Sequence, residues 1–115
     1  IPSKEVAKTV IVKIDGELAM IVTPASENLR LGQIRELLGA RRIDLAHEYE
    51  FKDAFPDCET GAMPPFGNLY GMPVYVSPAL RDDEEIAFNA GTHSELVRLP
   101  YSEFERLVEP RLLAA

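Results

Sequence analysis

The sequence predicts an α+β fold, a mixed, mostly antiparallel β-sheet with helices packed on it. Three observations carry this. A β-branched run from Val6 to Ile14 enters Asp15-Gly16 and returns over Glu17 to Val22, a strong hairpin signal. Three further short strand patterns follow late in the chain, and two segments carry apolar residues at helical spacing instead.

After the hairpin, Leu31, Ile34, Leu37 and Leu38 recur at helical spacing, with Ser26 or Asn28 as the expected cap and Gly39 placed to end the helix. Arg42 to Ala46 reads as a short strand. Glu48 to Phe55 favours a brief helix stopped by Pro56. Val74 to Val76, Glu85 to Ala90 and Glu95 to Leu99 supply the later strands, divided by Ser77-Pro78 and by Gly91. A last helix is expected from Ser102, where Ser102-x-x-Glu105 has the form of a capping box and Phe104, Leu107 and Val108 make the buried stripe.

The 115 residues suit one domain spanning 1–115, and 46% hydrophobic with 27% charged residues is ordinary globular composition. No apolar run approaches the roughly 20 residues of a membrane span. Ile1-Pro-Ser-Lys-Glu5 carries neither an initiator Met nor the apolar stretch of a signal peptide, so a fragment or processed form is expected. The lone Cys58 excludes an internal disulfide and suits a reducing, cytoplasmic setting. A formal charge of −7 opposes a broad basic face for DNA, although a local contact with a single-stranded end is compatible with it.

Three features carry chemistry. Gly61-Ala-Met63-Pro64-Pro65-Phe66-Gly67 is a stiff, glycine-bracketed segment. Its residues alone leave open whether it is a tight connection or a binding loop. Lys8 falls on the same side of its strand as Val6, Val10, Val12 and Ile14. An ammonium in that company is partnered, snorkels from the strand's start, or serves a site. Ala90-Gly91-Thr92-His93 ends a strand in glycine, either simply as a turn or as one that presents backbone amides, with a histidine able to donate a hydrogen bond or move a proton.

Other chemistries score poorly. Cys58 with His47 or His93 lacks any cue bringing thiol and base together, and two histidines with one cysteine fall short of a metal site. Asp82 to Glu85 reads as a solvated turn, and no Gly-x-Ser-x-Gly elbow, Walker loop or dinucleotide fingerprint is present. No cofactor is expected.

Lys8-Thr9 entering a Val/Ile strand, Gly61-x-x-x-Pro65 with Phe66-Gly67, Pro73-Val74-Tyr75-Val76 and a strand ending at Gly91 resemble the YbaK/prolyl-tRNA synthetase-associated domain family. The likeness runs from Val6 to about Pro110 and implies a barrel-like sheet and the hydrolysis of mischarged aminoacyl-tRNA carrying a small amino acid. It also implies a pocket formed by Lys8, Gly61, Pro65 and Gly91; His93 is the further catalytic candidate, and Thr9, Met63, Pro64, Phe66 and Gly67 are the candidates for lining the substrate. The implied partners are the acceptor end of mischarged tRNA and an aminoacyl-tRNA synthetase, and no metal is implied. The chain departs from the family in having Ser77 where an acid often follows the Val-Tyr-Val strand, and in lacking the portion that usually precedes the lysine strand. A non-catalytic module of the same fold, binding tRNA ends or a synthetase, is the rival reading.

Overall fold

The computed structural model describes residues 6–55, 64–81, 85–89, 91–92 and 94–113. Strand β1 (Ala7–Ile14) turns through Asp15 and Gly16 into β2 (Glu17–Pro24), pairing antiparallel from Ala7↔Pro24 to Ile14↔Glu17. Both turn residues take positive φ, 50° at Asp15 and 88° at Gly16, as a hairpin twisted like its strands requires. The Asp15 carboxylate accepts the backbone N–H groups of Arg41 at 3.0 Å and Arg42 at 2.8 Å, tying the hairpin tip to the entrance of β3 (Ile43–Leu45).

Helix α1 (Leu31–Leu38) lies between them, closed by Gly39 at φ 65°. Its cap position is Arg30, with no side-chain cap bond, so neither Ser26 nor Asn28 caps it as expected. The chain continues through α2 (Glu48–Phe51), a 3-10 turn over Lys52–Ala54 and a second over Gly67–Tyr70, then β4 (Val74–Val76) and the one-turn α3 (Pro78–Arg81). Next come β5 (Glu85–Asn89), β6 (Leu96–Pro100), α4 (Tyr101–Val108) and β7 (Arg111–Leu112).

Five strands form one sheet in the order β3-β1-β2-β4-β7, with β2/β4 and β4/β7 parallel and the other pairs antiparallel, while β5 and β6 form a separate hairpin. The α+β class and the mixed sheet stand as expected. The described strands do not close into a barrel. The two sheets meet at a parallel bridge between Val6 and Ala87.

Strand β1 is covered on both faces. Ala7 and Ile11 join Met20, Val22, Val74, Val76, Phe88 and Phe104 in the larger core cluster, while Val10, Val12 and Ile14 pack with Ile21, Ile34, Ile43 and Leu113 under α1. Helix α4 begins one residue earlier than expected, at Tyr101, which is buried with Phe104 and Val108. The Ser102 capping box therefore does not form, because Ser102 lies inside the first turn, and Leu107 is turned outward and 48% exposed. Strand β7 and helix α3 carry no expectation from sequence.

Gly67 is fixed by packing. A Cβ there would stand 2.9 Å from Val74 Cγ2 and 3.2 Å from Met20 Cβ, and both neighbours are buried in the sheet core. Gly67→Ala overpacks this contact and should destabilise the protein by about 1–3 kcal/mol in urea unfolding. A loss under about 0.5 kcal/mol, the range of a neutral surface change, would contradict this account.

Candidate active site

Lys8 sits half-buried on β1, directly opposite Thr23 in the hairpin register. Its face is the one that carries Val10, Val12 and Ile14 under α1, because side chains alternate along the strand. Among the described residues its ammonium has no ion-pair partner, unlike Lys13, which binds Glu50 at 2.8 Å.

Two further polar residues continue the line across the sheet. Val22 pairs with Val76, so Ser77 follows beside Thr23, and its backbone N–H donates to the Val22 carbonyl at 2.9 Å. The Ser77 hydroxyl donates to Glu27 Oε1 at 3.4 Å and accepts the N–H of Ala79 at 3.4 Å. Thr23 is 3% exposed, and its Oγ1 has no hydrogen-bond partner among the described residues. Thr23, Glu27, Arg30, Gln33 and Ser77 line a cavity of about 600 Å³ at this end of the sheet, beneath α1.

On its other edge β1 faces β5. The Val6–Ala87 bridge runs parallel, so β5 continues from it in the same direction as β1, with Asn89 at its end. Gly91 is buried with φ 97°, a conformation that favours glycine. Asn89 is half-buried and was not singled out from sequence; its signal was only its place at the end of a strand that had no known neighbour.

The remaining expected site residues fall in two groups. Gly61, Met63 and His93, like Cys58, lie outside the described residues. Pro64 is half-buried, Pro65 buried, and Phe66 packs edge-on against Phe88 and Phe104 with ring centroids 5.5 and 6.4 Å apart. This part of the loop, with Gly67, faces the larger core cluster, as does the half-buried Thr9, whereas Lys8 faces the α1 side. The described register therefore pairs Lys8 with Thr23 and sets Phe66 and Gly67 on the opposite face.

The profile of the aminoacyl-tRNA editing domain family matches residues 1–107. The chain belongs to that family. This editing domain is 30% identical over 112 residues to the multifunctional Ser/Thr-tRNA deacylase ProXp-y of Escherichia coli K12, and the same holds for that protein from strain O157:H7. The alignment covers 93% of the editing domain and 66% of the relative, so the chain spans slightly under two thirds of the length of these relatives. Its fold matches a crystal structure presented as a candidate trans-editing enzyme for prolyl tRNA synthetase, with TM-score 0.84, 20% identity and coverage of 96% and 69% of the two chains. The hypothetical protein APE2540 matches at TM-score 0.83 and 20% identity, over 97% and 74%. No helix among the described residues is long and apolar enough to cross a membrane, and no group of three or more His, Cys, Asp or Glu among them is placed to hold a metal.

A second polar cleft of about 380 Å³ holds Lys13, Arg42, Asp44, His47 and Glu50. Its charges pair with one another, Lys13 with Glu50 at 2.8 Å and Arg42 with Asp44 at 2.6 Å. The Lys13 ammonium, followed by the His47 backbone N–H at 2.7 Å, holds the Glu50 carboxyl below its ordinary value of 4.5, and Glu50 raises Lys13 above 10.5. A lowered carboxyl contributes stability at neutral pH and loses it as pH falls through the folded value; the raised ammonium loses its share only above 10.5. Glu50→Gln should therefore lower Tm at neutral pH, with the gap to wild type closing as the pH drops below 4.5. A gap constant across acid pH in thermal unfolding would show that the pair does not titrate with folding.

Proposed function

We propose that this editing domain hydrolyses the ester of tRNA mischarged with a small amino acid. Water adds to the ester carbonyl, the tetrahedral oxyanion collapses with cleavage of the acyl C–O bond, and the free amino acid leaves the tRNA with its terminal hydroxyl restored. An aminoacyl ester is activated enough that positioning water and stabilising the oxyanion suffice, without a nucleophilic triad.

Lys8 supplies the positive charge that faces the oxyanion, and the amides at Gly91 supply the second set of donors. His93 moves protons beside them, together with the substrate's own ribose hydroxyl. Gly61 and Met63, which precede the Pro64–Gly67 segment on the larger-core side, form the wall that excludes bulky side chains. Such exclusion discriminates better than attraction, since one methylene in an apolar pocket is worth only about 1–3 kcal/mol. The acceptor end of the tRNA is the partner, a synthetase that produces the mischarged species is its source, and the cytoplasm is the setting.

The observation that carries this reading is a lysine, half-buried on an apolar strand and without an ion-pair partner among the described residues, inside a chain that belongs to the editing family. The relative's deacylase activity supports the same reaction. The rival, a non-catalytic binding module, has in its favour only the shared fold.

A deacylation assay over a panel of mischarged tRNAs, run with wild type and Lys8→Ala, tests the proposal. Turnover of at least one small aminoacyl ester is expected, with kcat/KM falling about 100-fold or more in Lys8→Ala, the loss typical of one oxyanion donor. Wild-type inactivity on every ester, or an undiminished mutant, would defeat it.

A further inference from the structure

We propose that the cavity beneath α1 is a second ligand site, separate from the ester chemistry, and that it takes a free α-amino acid with an aliphatic side chain. Lys8 is not on the wall of this cavity, so the site stands apart from the deacylase reading.

One buried group there has no partner. Thr23 is 3% exposed and lines the cavity, yet its Oγ1 makes no hydrogen bond among the described residues. Buried hydroxyls in native proteins are nearly always bonded, so an open one on a cavity of about 600 Å³ calls for a ligand. Parallel pairing sets its neighbour. Val22 pairs with Val76, so the residues that follow, Thr23 and Ser77, share the opposite face of the sheet, where both line the cavity. The Ser77 hydroxyl in turn lies 3.4 Å from Glu27 Oε1. Two hydroxyls and a carboxylate therefore adjoin one another.

An ammonium group is the chemistry that matches them. It carries three donors and no acceptor, and a carboxylate flanked by hydroxyls meets both its charge and its protons. Ser77 accepts one N–H, from Ala79 at 3.4 Å, and like Thr23 and Glu27 keeps a lone pair to spare. The rest of the wall decides what the ammonium is attached to. Arg30 lines the same cavity and has no ion-pair partner among the described residues, so it holds a carboxylate and repels a second cation. A diamine is thereby disfavoured. So is an aminoacyl ester, whose carboxyl carbon is already esterified and offers Arg30 no anion. Ammonium and free carboxylate on one small molecule describe an α-amino acid. Ile34, Leu37 and Leu113 supply apolar wall, with Leu37 41% exposed, and an aliphatic side chain removes that surface from water. The bound ligand would tie the lead-in and body of α1 to the ends of β2 and β4.

Isothermal titration of the protein with L-leucine tests the proposal, with thermal unfolding run on each variant. Saturable binding and a rise in Tm are expected. Three probes each remove one feature: 4-methylpentanoate the ammonium, L-leucinamide the carboxylate, and L-serine the aliphatic chain. Each should bind about tenfold more weakly or worse. Thr23→Val, isosteric and apolar, should leave the Tm of the free protein unchanged or higher while weakening L-leucine about tenfold or more. Glu27→Gln, on an exposed residue, should weaken it by a similar factor. No saturable signal at about 10 mM L-leucine, where even a millimolar site is largely filled, overturns the site. So does wild-type affinity in a folded Thr23→Val or in Glu27→Gln, and leucinamide or serine binding as tightly as leucine overturns the choice of ligand. The titration contains no tRNA, so its failure leaves the deacylase reading intact, and an inactive deacylase leaves this site intact.

Discussion

The eight-residue pairing of β1 with β2 is the constraint on which the rest of the structure depends. Both faces of this hairpin are covered, one by the aromatic cluster around Phe88 and Phe104 and the other by α1. A slip of one residue would exchange the two apolar sets and turn Lys8 to the wrong side of the sheet. The turn at Asp15 and Gly16 fixes the register locally, and the Asp15 carboxylate extends that control to β3 through two backbone bonds. Lys8 and Thr23 take their shared face from this one ladder.

Much of the fold was legible because its signals are local. The Asp-Gly turn, the helical spacing of Leu31, Ile34 and Leu38, and Gly39 as a terminator each act within a few residues. Misreadings arose where tertiary contacts decided. Tyr101 is buried and α4 starts a residue before the apparent capping box, while the buried stripe runs through Tyr101, Phe104 and Val108 and leaves Leu107 in solvent. Strand β7 is two residues long and owes its existence to a parallel edge at β4, with Arg111 lying over the Tyr75 ring at 5.9 Å. Nothing in its own composition marks it.

The site divides in the same way. Lys8 stood out in sequence because a charge interrupts an apolar alternation. Thr23 did not, since a threonine near a strand end is unremarkable until register puts it opposite that charge. Ser77 was visible only as a departure from a family pattern, and its companionship with Thr23 and Glu27 depends on parallel pairing between strands about fifty residues apart in sequence. Asn89 became visible through the bridge from Val6 to Ala87. The loop residues Phe66 and Gly67, prominent in sequence, are held by the aromatic core and by Val74 and Met20.

That bridge is the one described backbone link between the two sheets, and it lies two residues before Lys8. The ammonium consequently stands at a mechanical seam. Thr23, on its β2 side, is anchored by a continuous backbone ladder, whereas the hairpin bearing Asn89 is held to β1 by one described backbone bridge and by the packing of Ile86 and Phe88 in the core. Shear between the sheets is therefore resisted by side-chain packing around Phe88, whereas shear between β1 and β2 would have to break a hydrogen-bonded ladder.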